Sequence, residues 1–305
     1  MSWQLVNSRS PEQPECPDDI EMVILPRSGD LGGFGVLRAL PFSKRRLVGP
    51  FIFWDQMGPG EFLTGKGVDV RPHPHINLST LTYLFDGTLD HRDSLGTFQT
   101  ITPGAVNLMT AGAGIVHSER TGPEVRQAPS RLYGIQSWLA SPLHKEEGNP
   151  SFQHIAASEL PTFEEKGLRG RVLAGSFAGL RSPVVYDWDT LYVDVQLDRG
   201  TRLSLPADAE ERAVYLLEGE LHAAGQDFEM GRMLVIRPGR SLDVRALTDC
   251  RFLLLGGATM DGPRHIWWNF VASSGERIEQ AKKDWSEGRF AAVPGETEFI
   301  PLPAL

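Results

Sequence analysis

Cysteine is almost missing from this 305-residue chain: Cys16 and Cys250 stand far apart and form no CxxC pair. That excludes a disulfide-stapled scaffold and a CxxC redox or zinc site, and two free thiols in a reducing cytoplasm are the expected state. No apolar run approaches the roughly 20 residues that a membrane span needs. The opening Met1-Ser2-Trp3-Gln4-Leu5 lacks the basic-then-apolar order of a secretion signal, so a cytoplasmic location is expected. Positive charge is short as well. Thirty basic against 39 acidic residues leave a net charge of −9, which opposes direct contact with nucleic acid or an anionic membrane. The one basic cluster, Lys44-Arg45-Arg46, reads as a solvated turn. Gly33-Phe34-Gly35 opens like a dinucleotide loop, but Arg38 stands where the third glycine belongs.

Turn residues are plentiful. Thirty-two glycines and 22 prolines, scattered through the chain, separate short apolar runs such as Phe51–Trp54, Leu81–Phe85 and Leu132–Leu139. That pattern predicts an all-β protein of many short strands. Helical periodicity comes only near the end. Ser273 with Glu276 resembles a capping box, Ile278, Ala281 and Trp285 share one face, and Gly288 is a stop, so a helix is predicted over about 274–288. Residues 1–20 are polar and proline-containing and read as an extended arm.

The chain also repeats itself. Thr82–Leu89 matches Val214–Leu221, and Gly104–Thr110 matches Gly231–Arg237. Two similar β-units in series follow: a front unit over 21–140, a linker over 141–170 that is rich in Pro, Glu, Lys and Gly, and a rear unit over 171–305 that includes the helix and tail.

The chemistry concentrates in two short pieces. His73-Pro74-His75 and His117-Ser118-Glu119 each place two metal-ligand side chains at i and i+2, the spacing that puts both on one face of a strand. Neighbouring strands then aim three imidazoles and a carboxylate at one point, a donor set for a divalent first-row metal such as iron, nickel, copper or zinc. With four protein ligands an octahedral ion keeps two open positions; a closed tetrahedral zinc site is the structural alternative. Pro74 favours an extended His73 and suits a strand at a barrel rim. The repeat serves as a control. It sets Leu205, Ala207, Val244 and Ala246 opposite His73, His75, His117 and Glu119, so the rear unit carries no such ligands. His91, in His91-Arg92-Asp93-Ser94, reads as a hydrogen-bonded loop histidine. His144, His154, His222 and His265 have no second ligand at useful spacing.

Gly67-x5-His73-x-His75 followed by Tyr83-Leu84-Phe85-Asp86-Gly87 resembles the first cupin motif. The run from His91 through Pro103-Gly104 and Met109–Gly112 to Gly114–Glu119 resembles the pirin family, as do Asp30–Phe34, Arg38–Pro41, Gly58-Pro59 and Pro263–Val271. The resemblance covers nearly the whole chain. It implies a bicupin, two β-barrels in tandem with a short C-terminal helix, whose front barrel holds one metal ion on His73, His75, His117 and Glu119. Iron(II) is the expected ion; nickel, copper, manganese or zinc would fit the same donors. It further implies either a quercetin 2,3-dioxygenase acting on flavonols, with Glu119 as catalytic proton acceptor, or a metal- or redox-sensing regulator that binds a protein partner. A monomer is expected. The chain departs from the family at Ile76-Asn77-Leu78-Ser79, where Arg-Gly-Phe-Glu is usual, and at Ala105, Asn107 and Leu108, where Asp-x-Gln-Trp is common. These changes spare the four ligands and are expected to alter the pocket wall.

Overall fold

The structure is a computed structural model that describes residues 18–30 and 34–303. The predicted arm up to residue 17, with Cys16, and Leu31-Gly32-Gly33 lie outside the described residues. Two barrels of the same build follow one another. Each pairs a seven-stranded antiparallel sheet with a four-stranded one. In the front barrel the large sheet centres on Leu78–Asp86, Ser130–Ala140 and Phe51–Phe62, and the small sheet runs Asp69–His75, Ile115–Arg120, Leu89–Asp93, Phe98–Ile101. The rear barrel repeats this with Glu211–Glu218, Cys250–Gly257 and Thr190–Leu197 over Arg202–Leu205, Leu242–Ala246, Glu220–Ala223 and Gln226–Glu229.

The internal repeat marks equivalent places in the two barrels. Gly87 and Gly219 both stand at φ 78°, and a Cβ there would sit 2.1 Å from Arg131 O and 2.3 Å from Asp249 O respectively. Only glycine fits such a turn without strain. The repeated tyrosines stitch the barrels together. Tyr83 of the front barrel donates to Asp194 Oδ2 at 2.8 Å, and Tyr215 of the rear barrel donates to Gln56 Oε1 at 2.9 Å. Between them lies a buried aromatic cluster of Phe51, Trp54, Tyr192 and Tyr215. Arg45, read from sequence as solvated, adds to this contact with ion pairs to Glu21 at 2.9 Å and Glu211 at 3.0 Å.

The hydrogen-bonded sheets divide the chain differently from the sequence boundaries. Ile20–Ile24 joins the rear sheet at Arg232–Ile236, although most of it falls in the front unit's assigned span. The 141–170 segment holds two strands, Ser151–Ile155 on the front sheet and Thr162–Glu165 on the rear. Its polar composition suggested a linker, but these are edge strands with a solvent-facing side, where polar residues belong. After Gly257 the chain returns to the front barrel. Ile76 bridges to Phe270, Ile300 N donates to Pro72 O at 2.8 Å, and Ser118 Oγ donates to Glu296 Oε1 at 2.8 Å.

The helix spans Gly275–Ser286, and its cap is Ser274, whose side chain accepts from Arg277 N. Ser273 instead donates its amide and hydroxyl to Glu146 at 2.9 and 2.7 Å, so the expected Ser273–Glu276 box does not form and a simple serine cap one residue later takes its place. Ile278 and Ala281 are buried as the spacing predicts. Ser274→Ala should cost about 1 kcal/mol, read as a lower denaturant midpoint; an unmoved midpoint would show that the cap is dispensable. Among the described residues no helix is long and apolar enough to cross a membrane.

Candidate metal centre

The two ligand pieces lie side by side. Asp69–His75 is an edge strand of the small front sheet, which is where Pro72 and Pro74 cost least in ladder hydrogen bonds. It pairs antiparallel with Ile115–Arg120, setting His73 directly opposite His117 and His75 opposite Ile115. The register slips between His117 and Glu119. Such a bulge re-aims the residue beyond it.

His73, His75 and His117 bring their ring nitrogens within 4.8 Å of one another, and all three are buried. Their hydrogen bonds say what those nitrogens can do. His73 Nδ1 lies 2.9 Å from Arg71 O, and His75 Nδ1 lies 3.0 Å from Asn269 O. A carbonyl only accepts, so each Nδ1 carries the proton and each Nε2 presents a lone pair. His75 Nε2 sits 3.1 Å from His117 Nε2. Burial, joined by the neighbouring imidazoles, holds His75 and His117 well below the ordinary histidine range, and burial takes His73 down to about 4. All three are therefore neutral near pH 7. Nε2 lone pairs that converge this closely repel unless a proton or a cation lies between them, and a metal ion would meet that need. The donor set fits.

Glu119 does not fall in that triad. It groups within 4.8 Å with His117 and His91 instead, sharing one histidine with the first set. It is buried, and burial raises its proton affinity against the opposing pull of His91, Gln136 and Thr82. Thr82 Oγ1 donates to Gln136 Oε1 at 2.5 Å, which turns the Gln136 amide nitrogen toward both Glu119 oxygens at 3.2 and 3.3 Å.

His73, His75, Glu119 and Gln136 line a cleft of about 670 Å³, a size suited to a small organic ligand. One wall is a stack. Arg38 lies 4.4 Å above the Phe53 ring, Phe53 stacks on Trp138 at 4.0 Å, and Trp138 meets His75 edge-on at 5.1 Å. The C-terminal segment also lines the cleft, through Ile266, Trp267, Trp268, Asn269, Ile300 and Pro303. Sequence spacing missed these residues because they lie far along the chain from the histidines. The Trp267-Trp268-Asn269 cluster was the available signal. Trp268 holds φ 52° in the tight turn that delivers Asn269 O to His75.

Sequence reasoning also misplaced His91. It is on the strand Leu89–Asp93, not in a loop; it is buried, and it pairs across from Glu119. Leu89, His91 and Asp93 alternate to one face of that strand, and this alternation was the legible clue. The departures at Ile76–Ser79, Ala105, Asn107 and Leu108 do not line the cleft. Ile76 packs with Phe270, Ser79 pairs its hydroxyl with Thr110 at 2.8 Å, and Asn107 meets His154. Asn77 adopts φ 56°, a left-handed conformation that Asn tolerates better than most residues.

Among the described residues the rear barrel has nothing equivalent. Its ladder pairs Leu203 with Val244 and Leu205 with Leu242, so the sequence match of Leu205 and Val244 to His73 and His117 misses by two residues. Ala207 lies beyond the strand. The interior is apolar in either register.

Comparison with known proteins supports the duplicated build. Residues 33–139 match the Pirin family model, and residues 192–291 match the Pirin C-terminal cupin domain. A pirin-like protein of Caulobacter vibrioides is 47% identical over 93% of this chain and 99% of its own length. A Pseudomonas aeruginosa protein provisionally named quercetin 2,3-dioxygenase is 37% identical over 92% of the chain and 88% of its own. Among solved structures, quercetin 2,3-dioxygenase from Acinetobacter baumannii superposes with a TM-score of 0.86 at 34% identity, covering 93% of this chain and 95% of that one.

Proposed function

The chain belongs to the pirin family of bicupins, and on that premise we propose that it is a metal-dependent dioxygenase of quercetin 2,3-dioxygenase type. One observation carries the reading: closely packed imidazole nitrogens beside a buried carboxylate, at a cleft lined by aromatic rings. His73, His75 and His117 would hold the ion, iron(II) before nickel, copper, manganese or zinc, with Glu119 as the anionic ligand. When bound, the ion supplies a Lewis-acid centre at which an enolate oxygen and dioxygen can meet.

The protein's own part is positional and acid–base. Phe53, Trp138, Trp267 and Trp268 line the cleft with apolar rings that would take the rings of a flavonol-like substrate and keep water out. A Glu119 oxygen would accept the proton of the substrate's enolic hydroxyl, a role that suits a carboxylate whose proton affinity burial has raised. Gln136, itself held by Thr82, keeps that carboxylate facing the cleft. The names of the relatives agree with this chemistry.

Aerobic incubation of metal-loaded protein with quercetin should bleach the flavonol's long-wavelength band and consume oxygen. Glu119→Gln should slow this by roughly 10²–10⁴-fold, with metal content measured alongside to separate proton transfer from ligand loss. A loaded wild-type protein that leaves the band unchanged would sink the dioxygenase reading.

A further inference from the structure

On the side of His117 away from His75 lies a buried pair with no part in the reading above. His91 Nδ1 is 3.4 Å from His117 Nδ1, and His91 Nε2 is 3.1 Å from Asp93 Oδ2. Asp93 is wholly inaccessible and His91 only 2% exposed. The other Asp93 oxygen accepts the Leu95 amide at 2.9 Å and the Thr97 amide at 3.1 Å. Phe152 stacks on the His91 ring at 4.6 Å and fixes its plane.

With His91 taken as a neutral imidazole, the direction of each hydrogen bond follows by elimination. A carboxylate that already gathers two amides acts as an acceptor, so His91 Nε2 donates to it. A neutral imidazole with its proton on Nε2 offers only a lone pair at Nδ1. His117 Nδ1 must then donate to His91, which leaves His117 Nε2 bare toward His75 Nε2.

We infer that His91 and Asp93 are a positioning pair that selects the tautomer of His117 and holds its Nε2 ready as a metal ligand. Arg71 O and Asn269 O do this for His73 and His75 with neutral carbonyls. His117 alone is connected through a second imidazole to a carboxylate, and outer partners of this kind raise a ligand's basicity as well as orient it. The functional consequence rests on the metal reading above; the tautomer itself does not.

Asp93→Asn tests the relay with almost no change of shape. The amide oxygen stays with the two backbone N–H groups, so its NH2 faces His91 Nε2. His91 must then carry its proton on Nδ1, and that of His117 moves to Nε2, into the place of the ion. Nickel(II) affinity, measured by chelator competition, should fall about 10–100-fold with every ligand still present. Long-range proton–nitrogen NMR of the metal-free wild type should show His117 protonated on Nδ1 and His91 on Nε2, both reversed in the variant. An Nε2-protonated His117 in the wild type overturns the inference, as does an Asp93→Asn protein that binds nickel as tightly as the parent. Two nickel ions per chain, one lost in His91→Gln, would overturn it too, by placing a cation where the relay has a proton. A wild type that binds no nickel defeats the metal reading, and the NMR pattern still judges the pair.

Discussion

His75→Ala or His117→Ala should abolish stoichiometric metal binding, with elemental analysis falling from one ion per chain toward none. The expected loss exceeds the roughly 10–100-fold that removal of an outer partner causes, because each variant deletes a donor from a cluster whose ring nitrogens lie within 4.8 Å. Full retention of metal in either variant would show that the ion, if bound, sits elsewhere. The same cluster makes the metal-free protein sensitive to acid. Burial depresses all three histidines, His73 to about 4 and the others well below their usual range. An unfolded chain takes up protons near 6.5, so below that pH it binds more protons than the folded one. Stability therefore falls as pH drops from about 6.5 toward 4. Denaturant midpoints across that window should decline less steeply in His75→Ala, which has one fewer buried imidazole to protonate.

Trp54→Ala should be the most destabilising simple substitution, at about 3–5 kcal/mol. Trp54 is fully buried where the barrels meet, with its ring 5.6 Å from Tyr192 and 5.5 Å from Tyr215. Its indole nitrogen has no hydrogen-bond partner among the described residues, so the loss is one of packing and of the cavity left behind. Because the contact spans both barrels, chemical denaturation should show one transition moved as a whole rather than a separate front-barrel step. A loss under about 1 kcal/mol would be far below the range for a buried tryptophan and would show that the interface relaxes around the gap.

Much of this was legible in the chain because strand geometry is local. Side chains two residues apart share a face, so the HxH and HxE spacings forecast which imidazoles would meet, and the Gly87 and Gly219 turns marked the duplication. The same rule, applied to Leu89, His91 and Asp93, would have brought His91 into the barrel; a reading of that stretch as a loop hid it. The helix start was good to one residue, because capping depends on which of two adjacent serines turns inward, and Glu146 decides that from 127 positions away.

Alternation, turns and the absence of cysteine and long apolar runs determined by themselves an all-β duplicated protein with the His-x-His and His-x-Glu pairs in one half only, since each depends on near neighbours and the repeat distance of a strand. Tertiary structure alone decided the rest: the return of the C-terminal segment over the front barrel, the carbonyl of Asn269 behind His75, the Asp93–His91 pair behind His117, and Glu119 grouped with His91 beside the three histidines. Those contacts join residues from separate strands and loops. Which of them touch is set by sheet register and barrel closure, and no spacing along the chain encodes that.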